Sequence, residues 1–316
     1  MSKFRFLESM ALVGAVWILA ALSAVAQQTA PASGVSVRMV VTAEPHHGST
    51  APAINREDVK VMEGKERDTV TDWIPAQGDN AALALFILID DESNTSLGTQ
   101  LEDIRQFINA QPPSTQVGVA YMQNGIARVV QDLTADHAQA AKSLRLPLGA
   151  GGANSSPYLA LSDLVKKWPA SNARHSVLMI SDGIDRFYGS GDLENPYLLA
   201  AIDDAVRAGT IVSAIYTPGV GHFGHSYWQT YWGQIYLSEL ADKTGGESYY
   251  IGFTGAPVSF SAYLDDFNHR LGHQYLLTFL AKPPKKAGFV PVKITTEVQN
   301  VDLVSAGRVW VPAPER

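Results

Sequence analysis

The chain has 316 residues, a formal net charge of −7 and no cysteine. The missing thiols exclude disulfides, thiolate catalysis, cysteine-ligated zinc and a lipid-modified amino-terminal cysteine. The acidic balance excludes the concentrated basic surface that a nucleic-acid partner needs, since the one basic cluster, Lys282, Lys285 and Lys286, is broken by Pro283 and Pro284 and reads as a solvated turn.

At the amino terminus Lys3 and Arg5 precede an apolar stretch from Met10 to Leu22, followed by Ser23-Ala24-Val25-Ala26. This is the order of a secretory signal cleaved after Ala26, and the stretch falls short of the roughly 20 residues that cross a bilayer. Residues 1–26 are therefore expected to be a signal peptide, and the protein to be exported, periplasmic or secreted, with no membrane span after cleavage. About 290 residues then remain, enough for one large domain and a small one. Residues 27–34, made of Gln, Thr, Ala, Pro, Ser and Gly, read as a flexible tether.

From Val35 the apolar residues Val35, Val37, Met39 and Val41 alternate with polar neighbours, which predicts a strand with one buried face. Asp58 to Glu63 and Arg67 to Ile74 follow as strands about a turn at Gly64, so residues 35–79 form a small β unit. Residues 80–271 change character. Ala82 to Ile89 is apolar throughout, as in a central parallel strand. Leu101, Ile104, Phe107 and Ile108 place a helix over Thr99 to Ala110. Gln116 to Met122 and Ile126 to Gln131 form a hairpin about Asn124-Gly125. Helices at Ala135 to Leu144 and Pro157 to Trp168 lead to a strand from His175 to Ile180. Then come a helix over Asn195 to Ala208, a strand at Thr210 to Tyr216, a helix over Gln234 to Lys243, a strand at Glu247 to Ile251 and a helix over Ser259 to Leu271. This alternation predicts an α/β fold with a doubly wound, mainly parallel sheet. Residues 272–316 return to strands, at Gln274 to Ala281, Phe289 to Thr296 and a pair within Asp302 to Val311. The two chain ends are expected to pair into one flanking β module, because isolated short strands are marginal in water.

Ligands of a doubly wound sheet bind outside the carboxyl ends of its strands. There the first strand of the domain runs into Asp90-Asp91-Glu92-Ser93-Asn94-Thr95. Adjacent acids at the end of an apolar strand are costly unless paired or bound to metal. Two further loops reach the same edge, Gly151-Gly152-Ala153-Asn154-Ser155-Ser156-Pro157 and Ile180-Ser181-Asp182-Gly183.

In these three loops, over roughly residues 80–271, the sequence resembles the von Willebrand factor type A (VWA) family, and with the outer strands its bacterial VWFA-related branch. That family's metal-ion-dependent adhesion site begins Asp-x-Ser-x-Ser after the first strand, takes a threonine from the second loop and an aspartate from the third. The resemblance implies a Mg²⁺ site. Starting from Asp91 it uses Asp91, Ser93 and Thr95; starting from Asp90 it gives Asp90-x-Glu92-x-Asn94, without the serines; both registers stay open. Ser156 or Ser155 takes the threonine position, and Asp182 matches the last aspartate. The other reading of Asp90, Asp91 and Asp182 is as caps of loops and helix ends.

A second feature is the aromatic run His222-Phe223-Gly224-His225-Ser226-Tyr227-Trp228-Gln229-Thr230-Tyr231-Trp232, placed as a loop after the strand ending at Tyr216. His222, Phe223, His225, Tyr227 and Trp228 are the candidates for a partner-binding rim, while Tyr231 and Trp232 read as core. The pairs His222/His225 and His269/His273 lack the glutamate and third ligand of a zinc motif. No serine-hydrolase elbow, phosphate loop or dinucleotide fingerprint is present. The expected function is a non-enzymatic adhesion or binding protein, and the resemblance implies a partner protein that offers an acidic side chain to the cation. The alternatives are a metal-dependent hydrolase and a structural envelope protein with a decayed cation site.

Overall fold

The structure, a computed structural model, describes residues 34–313 apart from 49, 150–151, 153–154, 170, 190, 193 and 222–225. The expected signal peptide and all but the last residue of the expected tether lie outside the described residues.

Two sheets carry the chain. The first strands are β1 (Val35–Pro45), β2 (Val59–Glu63) and β3 (Glu66–Pro75). The α/β part follows as β4 (Leu83–Asp90), α1 (Leu101–Asn109), β5 (Thr115–Gln123), β6 (Ile126–Thr134), α2 (His137–Lys142), α3 (Pro157–Lys167), β7 (Arg174–Ser181), α4 (Pro196–Ala208), β8 (Thr210–Tyr216), α5 (Tyr227–Thr244), β9 (Ser248–Tyr249) and α6 (Ser261–Gly272). The chain closes with β10 (Gln274–Ala281), β11 (Gly288–Pro291), β12 (Lys293–Thr296), β13 (Val301–Val304) and β14 (Arg308–Val311).

The α/β sheet has the order β6-β5-β4-β7-β8-β9. All its pairs are parallel except β5 with β6, the hairpin whose turn residues Asn124 and Gly125 both take positive φ. Strand β4 is buried along its whole length because both of its faces are covered. Leu85, Ile87 and Ile89 pack against α1, α2 and α6, while Phe86 and Leu88 pack against α3, α4 and α5. The helices start and stop where their chemistry directs. Ser156 and Asn195 cap α3 and α4 ahead of a first-turn proline, and Gly209 and Gly245 end α4 and α5 in the left-handed conformation.

Strands from both chain ends share the second sheet, in the order β12-β2-β3-β10-β1-β13, with the β11-β14 ribbon beside it. Val41, Val61, Leu277, Phe279, Ile294 and Val311 meet in its core, so neither end has a core without the other. The fold is thus a doubly wound α/β sheet with a flanking β module built from both ends.

Three elements differ from the sequence reading. Helix α5 begins at Tyr227 rather than Gln234, so the second half of the aromatic run is helical; its first turns expose Tyr227, Trp228 and Tyr231, which hides the apolar periodicity. Strand β9 is cut to two residues because Tyr250 adopts φ 61°. The stretch Phe289 to Thr296 splits at Pro291, which has no N–H to donate, and its halves join different sheets, β14 for one and β2 for the other.

Candidate functional site at the carboxyl edge of the parallel sheet

The strand order reverses at β4, whose chain neighbour β5 lies on one side and β7 on the other. The crevice between the carboxyl ends of β4 and β7 is therefore the topological switch point. Asp90 ends β4, and Ser181 ends β7 with Asp182 next to it.

All of Asp90, Asp91, Glu92, Ser93, Ser156 and Asp182 are buried. Asp90 Oδ2 accepts a hydrogen bond from Ser181 Oγ at 2.7 Å, and Oδ1 accepts from the Glu92 amide at 3.0 Å. Burial, with repulsion from Asp182 and Glu92, pushes the Asp90 carboxyl up to about 7, against the opposing pull of Arg186 and Ser181. Burial also raises Glu92, whose Oε1 accepts from the Gly152 amide at 3.2 Å.

Asp182 accepts from the Ile184 amide at 2.8 Å through Oδ1, and Oδ2 lies 2.7 Å from Arg186 Nη2. The other arm of that guanidinium, Nη1, lies 3.0 Å from Glu92 Oε2. Burial works against the charge of Arg186, but Asp182, Asp90 and Glu92 more than offset it and raise the group above its ordinary value.

The remaining expected donors lead elsewhere. Asp91 faces Arg145, with Oδ1 to Nη1 at 2.6 Å and Oδ2 to Nη2 at 2.8 Å, and also accepts from the Leu148 amide at 3.0 Å. Burial acts to raise Asp91, yet the hydrogen bonds from Arg145, Gln123 and Leu148 prevail and hold it below the usual aspartate value. Ser156 Oγ donates to Asp185 Oδ2 at 3.0 Å and caps α3 through the Leu159 amide. Thr95 is exposed on a 3-10 turn, Thr95–Thr99. Ser93 Oγ is buried with no hydrogen-bond partner among the described residues.

The structure thus gathers Asp90, Glu92 and Asp182 around Arg186, and leaves Asp91, Thr95 and Ser156 with other partners or in solvent. The set Asp91, Ser93, Thr95, Ser156 and Asp182 does not fit a single Mg²⁺: each of the two aspartates has its carboxylate held by a different arginine, and Ser156 serves Asp185. Among the described residues no group of three or more His, Asp or Glu side chains is arranged to hold a metal ion.

Three residues that matter here were not singled out from the sequence. Arg186 stands four residues after Asp182, Arg145 lies in the link from α2 to α3, and Asp185 accepts from Ser156, Asn195 and the Phe187 and Tyr188 amides. For Arg186 the available signal was its place three residues beyond the rim loop Ile180-Ser181-Asp182-Gly183, directly after a second acid, Asp185.

Helix α5 lies over this edge. Gly183 and Gly233 let it approach, since a Cβ on Gly233 would come 2.3 Å from the Asp182 carbonyl oxygen. On its first turns Tyr227 (77% exposed), Trp228 (57%) and Tyr231 (49%) face solvent, whereas Trp232 packs on the core. Tyr231 is therefore a surface residue, not the core residue expected, because it shares its helix face with Tyr227, on which it stacks at 6.5 Å. His222, Phe223 and His225 lie outside the described residues. His273 Nδ1 is bonded to the His269 carbonyl oxygen at 2.8 Å.

The sheet order and the flanking sheet define a doubly wound α/β protein with an antiparallel β module beside it. No family model matches the sequence, and no curated protein matches it. Solved structures similar to it are VWA-domain proteins and their kin. An aerotolerance-related membrane protein from Bacteroides fragilis is 13% identical, with a TM-score of 0.44 over 60% of this chain and 98% of that one. BatB from Bacteroides thetaiotaomicron is 13% identical, with a TM-score of 0.40 over 60% of this chain and 97% of that one. A von Willebrand factor type A protein from Catenulispora acidiphila is 13% identical, with a TM-score of 0.44 over 90% of this chain and 76% of that one.

Proposed function

We propose that this chain is an exported, non-enzymatic binding protein that docks a partner protein on the rim beside the sheet switch point. The observation that carries the reading is the exposure of Tyr227, Trp228 and Tyr231 on one helix end at that rim. Large aromatic side chains left in solvent together mark interaction surfaces, because they supply contact area at small entropic cost. Phe187 and Tyr188, exposed in the loop after β7, extend the same character. Against a hydrolase stands the state of the acids: Asp91 and Asp182 are each engaged by an arginine, which leaves neither free to take a proton from water. Export rests on the amino-terminal signal pattern alone.

The test uses the exported chain against envelope proteins of its native host, with and without a chelator. Capture should fall at least tenfold in the combined variant Tyr227→Ser, Trp228→Ser and Tyr231→Ser while thermal unfolding stays within a few degrees. Capture that ignores those three changes would falsify the rim. Turnover of a phosphate, peptide or glycoside substrate, lost on Asp182→Ala, would replace the reading with the hydrolase.

A further inference from the structure

Asp90, Glu92 and Asp182 bury three carboxyl groups within electrostatic reach of one another, a costly arrangement unless a cation compensates it. The molecule contains such a cation within its own chain. Arg186 is 7% exposed, and its two arms reach different loops, Nη2 to Asp182 beyond β7 and Nη1 to Glu92 beyond β4. A planar guanidinium suits this task, since its donors are fixed in a fork and it does not deprotonate in proteins.

A third loop closes over the pair. Ser93 bridges to Gly219, and the Asn94 amide donates to the Pro218 carbonyl oxygen at 3.0 Å. A Cβ on Gly219 would stand 2.0 Å from Asp182 Oδ2 and 2.8 Å from Arg186 Nη2, so the backbone after β8 rests directly on the ion pair. The space above it does not admit even a methyl group.

We propose that Arg186 takes the place of a divalent cation at this rim, supplying the positive charge and tying the β4, β7 and β8 loops together without metal. The idea deepens the docking reading and rests on it for one consequence, that partner capture is indifferent to chelators. Its core concerns the isolated protein. Without the guanidinium, the three carboxylates it holds apart could close on the vacated space, and carboxylate oxygens are hard donors of the kind that Mg²⁺ or Mn²⁺ accepts.

The experiment follows thermal unfolding of the exported chain, with no partner present, in chelator and in millimolar Mg²⁺ or Mn²⁺. Wild type should show the same Tm throughout. Arg186→Ser should unfold at lower temperature and recover by about 5 °C or more, either on adding Mn²⁺ or on adding Asp182→Asn and Glu92→Gln to the same chain. If Arg186→Ser does not fold alone, the triple variant should still fold. Absence of every rescue overturns the proposal, as does a wild-type protein that itself gains stability from Mn²⁺ through Asp182. Because no partner enters the assay, its failure is separate from a failure of the docking reading.

Discussion

Asp90 and Ser181, on neighbouring parallel strands, are joined by a 2.7 Å hydrogen bond from the serine Oγ to the aspartate Oδ2, with both side chains out of reach of solvent. The bond pins the mouth of the switch point at the place where the chain turns from one half of the sheet to the other. It also fixes an acid in an environment that disfavours its charge.

That environment sets a pH dependence. Burial and the carboxylates of Asp182 and Glu92 push Asp90 from 3.8 up to about 7. Between those values the unfolded chain releases this proton and the folded chain keeps it, so stability falls as pH rises. The loss accumulates from about pH 4 to about 7 and levels off above that. Glu92 is raised too and adds in the same sense. Asp90→Asn removes the Asp90 share. Urea unfolding at pH 5 and pH 8 should show the variant gaining on wild type as pH rises; a constant difference between the two would show that Asp90 titrates normally.

Asp91 works with the opposite sign. Its partner Arg145 lies over the Tyr121 ring at 3.8 Å and reaches both carboxylate oxygens. The Asp91 pKa is held below 3.8, so the pair stabilises the fold above that value and the contribution fades as pH falls through the depressed one. Arg145→Ala should cost about 2 kcal/mol at neutral pH, the worth of a hydrogen-bonded charge pair with one partly exposed member. The deficit should shrink below pH 4, a trend readable from denaturant midpoints.

Much of the α/β framework was legible because its signals are local and redundant. The unbroken apolar run of β4, the Asn124-Gly125 turn and the proline after each cap of α3 and α4 all point the same way. The site was legible only as a location. Asp90, Asp182 and the loop before α3 do reach one edge, but which oxygen meets which donor depends on side-chain direction, and no spacing rule encodes that. Asp90 and Asp91 show the difference: adjacent in sequence, one accepts from Ser181 on the neighbouring strand and the other pairs with Arg145. Arg186 escaped notice for a related reason, since a basic residue in a loop reads as solvated until its burial is known. The first turns of α5 were missed because exposed aromatics blur the helical period.

The close approach of α5 to the rim makes two glycines sensitive. Gly183 has φ 70°, and a Cβ there would sit 2.2 Å from the Gly233 carbonyl oxygen. Gly183→Ala therefore combines backbone strain with a clash that only movement of the helix relieves, and should cost about 2–4 kcal/mol. Gly233→Ala meets the Asp182 carbonyl oxygen from the other side and should cost about 1–3 kcal/mol. Equilibrium unfolding measures both. If the helix is displaced rather than the fold lost, near-UV circular dichroism of Tyr227, Trp228 and Tyr231 should change while the far-UV spectrum holds.

Asp182 and Arg186 should behave as a coupled unit. Asp182→Asn leaves the guanidinium buried with Glu92 at 3.0 Å and Asp90 in electrostatic reach, so its cost should fall near the lower end of the 3–5 kcal/mol, roughly, that follows loss of one partner in a buried pair. Arg186→Ser is worse placed, because it strands three acids rather than one base. The double change removes a charge of each sign, and its cost should fall short of the sum of the singles by about 1–3 kcal/mol, a coupling typical of residues in one ionic network. Additive costs in a double-mutant cycle would mean that the 2.7 Å contact holds no energy of its own, and that the loops at the switch point are joined by their backbone hydrogen bonds instead.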